Sequence, residues 1–105
     1  MDPTSFRATW SPGGWRTVPD PFGLIVVKDS GITAHSRLFF AWVKDQEVSR
    51  DSIEVIRVGR QLGTMTFVVH RAGGKRLEFV LRGADGDHVL TVLQAHGYVV
   101  DSLTN

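Results

Sequence analysis

The chain has 105 residues, 42% apolar and 22% charged, which suits one domain with a single core and argues against wholesale disorder. Twelve Lys and Arg against eleven Asp and Glu leave a formal net charge of +1, so no basic surplus marks the chain as a dedicated nucleic-acid binder. Without cysteine, disulfides, thiolate nucleophiles and cysteine-held metals are excluded, which fits a reducing, cytoplasmic setting.

Residues 1–21 hold all four prolines and no apolar stretch that could form a signal-peptide core. Nowhere does an unbroken apolar run approach the ~20 residues that span a bilayer. Proline fixes φ and removes a donor, so any element here is expected to be short. Phe6, Trp10 and Trp15 are nonetheless costly to leave in water, since each can bury about 150–250 Å². Two readings follow: an arm folded back over its own core, or an arm that docks on a partner.

From Phe22 the pattern becomes strand-like. GLIVVKDSGITAH reads as strand, turn and strand, with Asp29, Ser30 and Gly31 supplying the turn. Ile32, Ala34, Leu38, Phe40 and Trp42 share one parity, while His35 and Arg37 point the other way. Lys44, Asp45 and Gln46 break that run as a polar turn. In the next strand Ile53 and Val55 share one parity and Ile56 and Val58 the other, which predicts a bulge or a strand covered on both faces.

Gln61-Leu62-Gly63 reads as a turn. Residues 64–71 then carry Met65, Phe67 and Val69 on one face, with Thr66, Val68 and His70 on the other. Ala72-Gly73-Gly74 connects a hairpin, and residues 75–82 return with Leu77, Phe79 and Leu81 inward. After Gly83 the period becomes 3.6. Val89, Val92, Leu93 and His96 form the apolar stripe of a helix over about 85–96. Asp85 is the expected cap, Asp87 falls in the first turn, and Gly97 sits where a left-handed C-terminal residue belongs. Tyr98, Val99 and Val100 continue as an extended tail. The organisation is therefore an arm (1–21), one domain (22–101) and a short tail (102–105).

Antiparallel strands followed by one C-terminal helix make an α+β plan. The hairpin GLIVVKDSGITAH, the strand VSRDSIEVIRV, the pair TMTFVVHRAGGKRLEFVL and the closing ADGDHVLTVLQAHGY together resemble the bacterial pleckstrin-homology-like domains, including GRAM-like relatives. That resemblance covers about residues 22–100. It implies a strongly bent antiparallel sheet, or a partly open barrel, capped by the helix, with Val89, Val92 and Leu93 as the plug. It also implies a binding or scaffolding module, not an enzyme. Phosphoinositide-binding members cluster cations around the first hairpin, and the matching positions here are Lys28, His35 and Arg37. Asp29 in that turn would repel a phosphate.

The residues show no catalytic or metal pattern. His88 and His96 lie eight apart on the helix, too far for a chelating pair, and no HExxH or GxSxG occurs. Serines 49 and 52 read as turn residues, and Gly73-Gly74 joins strands where a phosphate loop would lead into a helix. No metal, cofactor or catalytic residue is expected. Arg50, Arg57, Arg60, Arg71, Lys75, Arg76 and Arg82 could form a basic strip, but Asp51, Glu54 and Glu78 interrupt it, and cross-strand charge pairs account for it better. The expected function is protein interaction or assembly, with a protein partner or a second copy. Phe6, Trp10, Trp15, Arg57 and Arg60 are the expected contacts, on the arm and on an exposed strand edge near residues 57–63. A weak phosphate-directed binder of nucleic acid or of an anionic membrane surface is the alternative, and a small enzyme with an unrecognised site is the third.

Overall fold

The period-two stretches fold as ladders in a computed structural model that describes residues 2–13, 17–19, 22–37 and 44–102. Four strands, β1 (Thr4–Arg7), β3 (Gly23–Lys28), β4 (Gly31–Ser36) and β5 (Gln46–Ser49), form one antiparallel sheet in the order β1-β3-β4-β5. The second sheet has five strands in the order β2-β8-β7-β6-β9. These are β2 (Thr9–Ser11), β6 (Ile53–Gln61), β7 (Thr64–Arg71), β8 (Arg76–Arg82) and β9 (Val100–Ser102). All its pairs are antiparallel except β9, which runs parallel to β6. A single helix, α1 (Gly83–Ala95), follows β8.

The chain passes between the sheets three times, twice at tight corners and once in the longer return from β2 to β3. Ala8 is the whole link between β1 and β2, and one 3₁₀ turn, Arg50–Ser52, leads from β5 into β6. The α+β class therefore holds. The barrel expectation needs correcting, because the ladders stop at these corners and leave two sheets that do not close.

One core lies between the sheets. Ile25, Val27, Ile32, Ala34 and Val48 enter from the first, while Ile56, Met65, Phe67, Val69, Leu77 and Phe79 enter from the second. Val89 and Leu93 of α1 complete it. Phe67 and Phe79 are register partners and stack with centroids 5.0 Å apart. Burying each such side chain contributes about 1.5–3 kcal/mol, so this cluster carries most of the stability.

The N-terminal arm is part of this fabric. Its first half pairs as β1 with β3, and its second half as β2 with β8. Trp10 is fully buried (0% exposed), faces Phe79 in register and donates its indole N–H to the carbonyl of His35 at 2.8 Å. Its backbone also exchanges bonds with Val18 at 2.9 and 2.8 Å. Strand pairing therefore joins the expected arm to the expected domain. Trp10 is a core residue and cannot serve as an accessible contact while the fold is intact. Phe6 is half-buried, 5.8 Å from Phe79 between ring centroids. Trp15, like Leu38, Phe40 and Trp42, lies outside the described residues.

Two local expectations shift. The parity switch in β6 is a bulge, but it falls between Ile53 and Val55, where two residues of β6 oppose one step of β7 from Arg71 to His70. The helix begins at Gly83, two residues earlier than the cap signal suggests. Arg82 takes the N-cap position, and Asp85 lies in the first turn. At the other end Gly97 has φ 83°, the Tyr98 amide bonds the Leu93 carbonyl at 3.0 Å, and the Gly97 amide bonds that of Gln94 at 2.9 Å. This paired closure reverses the chain and aims it back along β6 as β9.

Candidate functional site

Two-residue turns close two of the hairpins, and the residues around them differ sharply. The turn between β3 and β4, Asp29-Ser30, lies against the C-terminal end of α1. Arg50 reaches it from the 3₁₀ turn and donates one guanidinium nitrogen to the carbonyls of Asp29 (3.0 Å) and His96 (2.8 Å). The same guanidinium lies 4.5 Å over the Tyr98 ring. Tyr98 donates its hydroxyl to the Lys28 carbonyl at 2.5 Å. His96, whose side chain is 0% exposed, holds Asp29 through Nδ1 at 2.6 Å. Burial pushes the Tyr98 phenol above its ordinary value, partly opposed by the nearby Arg50 charge. His96 is thus a tether inside the fold.

The cations that the family resemblance would gather do not converge. Lys28 pairs with Gly31 at the turn, whereas His35 pairs with Leu24 at the far end of β4. Four residues separate Gly31 from His35, about 13 Å along the strand. His35 instead contacts Asp45 through Nδ1 at 2.7 Å, and the Ser36 amide donates to the same carboxylate at 2.9 Å. Burial acts upward on the Asp45 carboxyl, but the Ser36 and His35 bonds outweigh it and hold the group below its ordinary range. Arg37 is exposed, with its amide bonded to the Phe22 carbonyl at 2.9 Å.

Arg57 and Arg60 occupy opposite faces of β6. Arg60 forms an ion pair with Asp87 of α1, which makes it a brace between strand and helix. Arg57 is exposed on the outer face, in register with Asp101 of β9 on one side and Val68 of β7 on the other. The expected open edge at this point is corrected. β9 pairs with β6 across Ile56, Arg57 and Val58, so a partner strand could not add there. Glu78 follows Val68 in the same cross-strand row, so signs alternate along that row. Such a face suits mutual pairing better than a run of phosphates.

Beyond β9, the β6–β7 hairpin ends in Leu62-Gly63. Both have positive φ, 36° and 86°, the geometry of a primed two-residue turn. Asn or Gly normally takes the first place, because a larger L-residue there costs about 1–2 kcal/mol. Leu62 occupies it with its side chain wholly in water, at 106% relative exposure. Arg82 stands in register with Thr64 beside this tip. The sequence QLG marks a turn, and only the pairing register reveals that the leucine takes the strained place.

At the β5 corner lies a cleft of about 450 Å³ lined by residues from both sheets, among them Lys28, Thr33, Glu47 and Arg71. Sequence periodicity assigned Arg71 to a mixed-charge surface and gave Thr33 no role. Among the described residues, no three His, Asp or Glu side chains group as a metal site would require. Among the described residues, no helix is long and apolar enough to cross a membrane. The chain matches no family model and no curated protein.

Proposed function

We propose that this chain is a non-enzymatic, pleckstrin-homology-like interaction module of the bacterial cytoplasm. It binds a protein partner or a second copy of itself, with Leu62 as the anchor. The observation that carries this reading is the conformation of Leu62, an apolar side chain held fully in water on backbone that disfavours it. A strained, exposed residue is retained where its exposure is used. Entering a partner pocket would return about 1.5–3 kcal/mol of burial, the scale of one interface anchor. Arg82 beside the tip and Arg57 further along β6 would orient the encounter. Phe6 is too sheltered to lead it. Anionic membranes are the weaker reading, because Asp85 and Asp87 lie in the first turns of the helix that follows Arg82.

Leu62→Asn separates function from folding. Asparagine accepts the left-handed conformation, so the variant should fold at least as stably and lose association. Light scattering over a concentration series reads self-association, and quantitative capture from the native host reads a partner. Association unchanged in a folded Leu62→Asn variant overturns the proposal.

A further inference from the structure

The cleft at the β5 corner opens where the chain leaves the first sheet through Arg50–Ser52 and enters the second. Its lining comes from both faces of the sheet edge. Ile32 and Val48 stand on the core side, and Lys28, Thr33 and Glu47 on the outer side. Arg71, the last residue of β7, faces it from the second sheet.

Two polar groups in this lining are in unfavourable surroundings. Thr33 is only 8% exposed, and its Oγ1 is buried with no hydrogen-bond partner. Arg71 is half-buried, and its Nε is likewise buried and unpartnered. Each unmade bond costs about 1–3 kcal/mol, so an incoming acceptor would recover that cost. A guanidinium fits the planar fork of a carboxylate. Glu47 limits the anion to one, since a run of acids along the cleft would meet its charge. Beside these groups runs β5, which pairs with β4 on one side and, among the described residues, with no strand on the other. An unpaired strand edge is completed by an extended chain, and a single acidic side chain on that chain is what Arg71 complements.

We propose that the cleft receives an extended segment of a partner protein, which pairs with β5 and sets one aspartate or glutamate on Arg71. This rests on the reading of the chain as an interaction module, but on residues separate from Leu62. A small free anion would satisfy Arg71 and leave the β5 edge unmade.

The probe is a display library of random decapeptides selected on the full chain. Enriched sequences should carry one acidic residue among strand-forming neighbours. Synthetic copies should shift the backbone amide signals of Glu47, Val48, Ser49 and Arg71. Replacing the acid by its amide should weaken binding about tenfold, and Arg71→Met should do the same. Arg71→Lys, which keeps the charge and loses the fork, should weaken it about threefold and keeps the test decisive if Arg71→Met does not fold. Selection without acid preference, or shifts confined to the Leu62 hairpin, overturns the proposal. So does inorganic phosphate reproducing the peptide's shifts, which would mark a small-anion site. If peptide selection fails while Leu62→Asn still abolishes association, the cleft alone is overturned. The reverse result overturns the tip contact and leaves the cleft standing.

Discussion

The β3–β4 and β6–β7 hairpins are closed by the same number of residues, yet one turn is tied on every side and the other is bare. Asp29-Ser30 is held by Arg50, His96 and Tyr98, which come from the 3₁₀ turn and the end of α1. Leu62-Gly63 makes one outside backbone bond, from the Gly83 amide to the Gly63 carbonyl at 2.8 Å. The tied turn joins three parts of the chain and contributes to stability. The bare turn carries a residue that costs stability, which is the signature expected of a contact surface.

Glycine substitutions should expose this difference most strongly. A Cβ at Gly31 would meet the Val48 carbonyl oxygen at 2.2 Å, whereas one at Gly63 meets nothing within 4 Å. Gly31→Ala must push β5 away and should cost about 3 kcal/mol or more in urea unfolding. Gly63→Ala bears only the strain of its positive φ and should cost about 1–2 kcal/mol. Equal losses would show that the two turns are not held differently.

Arg50→Met removes two carbonyl bonds and the contact over Tyr98, and should cost about 2–3 kcal/mol. The same change at Arg60, whose ion pair with Asp87 is exposed, should cost under about 1 kcal/mol. Tyr98→Phe should cost about 1 kcal/mol by leaving the Lys28 carbonyl without its donor. Tyr98 also predicts a pH limb. Its phenol loses its proton less readily when folded than when unfolded, so its contribution is complete below pH about 10 and is lost as pH rises through the folded value. Stability should therefore fall above pH about 10, and Tyr98→Phe should flatten that limb. The smallest effect has the opposite sign: Leu62→Asn should raise stability by about 1 kcal/mol as left-handed strain is relieved.

Much of the second sheet was legible in the sequence. Met65, Phe67 and Val69, then Leu77, Phe79 and Leu81, alternate cleanly because one face of each strand is buried, and Gly73-Gly74 fits the turn between them. The helix stripe was legible too, although its start was obscured. Asp85 looks like a cap, but Arg82 holds that position without a side-chain bond. Of the two readings of the arm the folded-back one holds, but its pairing was hidden because three- and four-residue strands are too short to show a period, and because Trp10 is buried by Phe79, far along the chain. The tether at Asp29 was hidden for the same reason, since Arg50 and the His96 carbonyl it bonds are 46 residues apart. Long-range polar contacts leave no local signature. Leu62, Thr33 and Arg71 share that limitation, because strain and missing partners are properties of a pairing register and a packed corner.

The single-residue link at Ala8 has a kinetic consequence. The ribbon around it pairs on one side with residues 24–27, close by in the chain, and on the other with residues 78–80, about seventy positions later. Its first half can form with an early hairpin. Its second half must wait until β7 and β8 have assembled, and the loop then closed is about two thirds of the chain. Trp10 would remain exposed during that interval. The slow step of folding is therefore expected to be the docking of this ribbon, with quenching or shift of Trp10 fluorescence as its late signal.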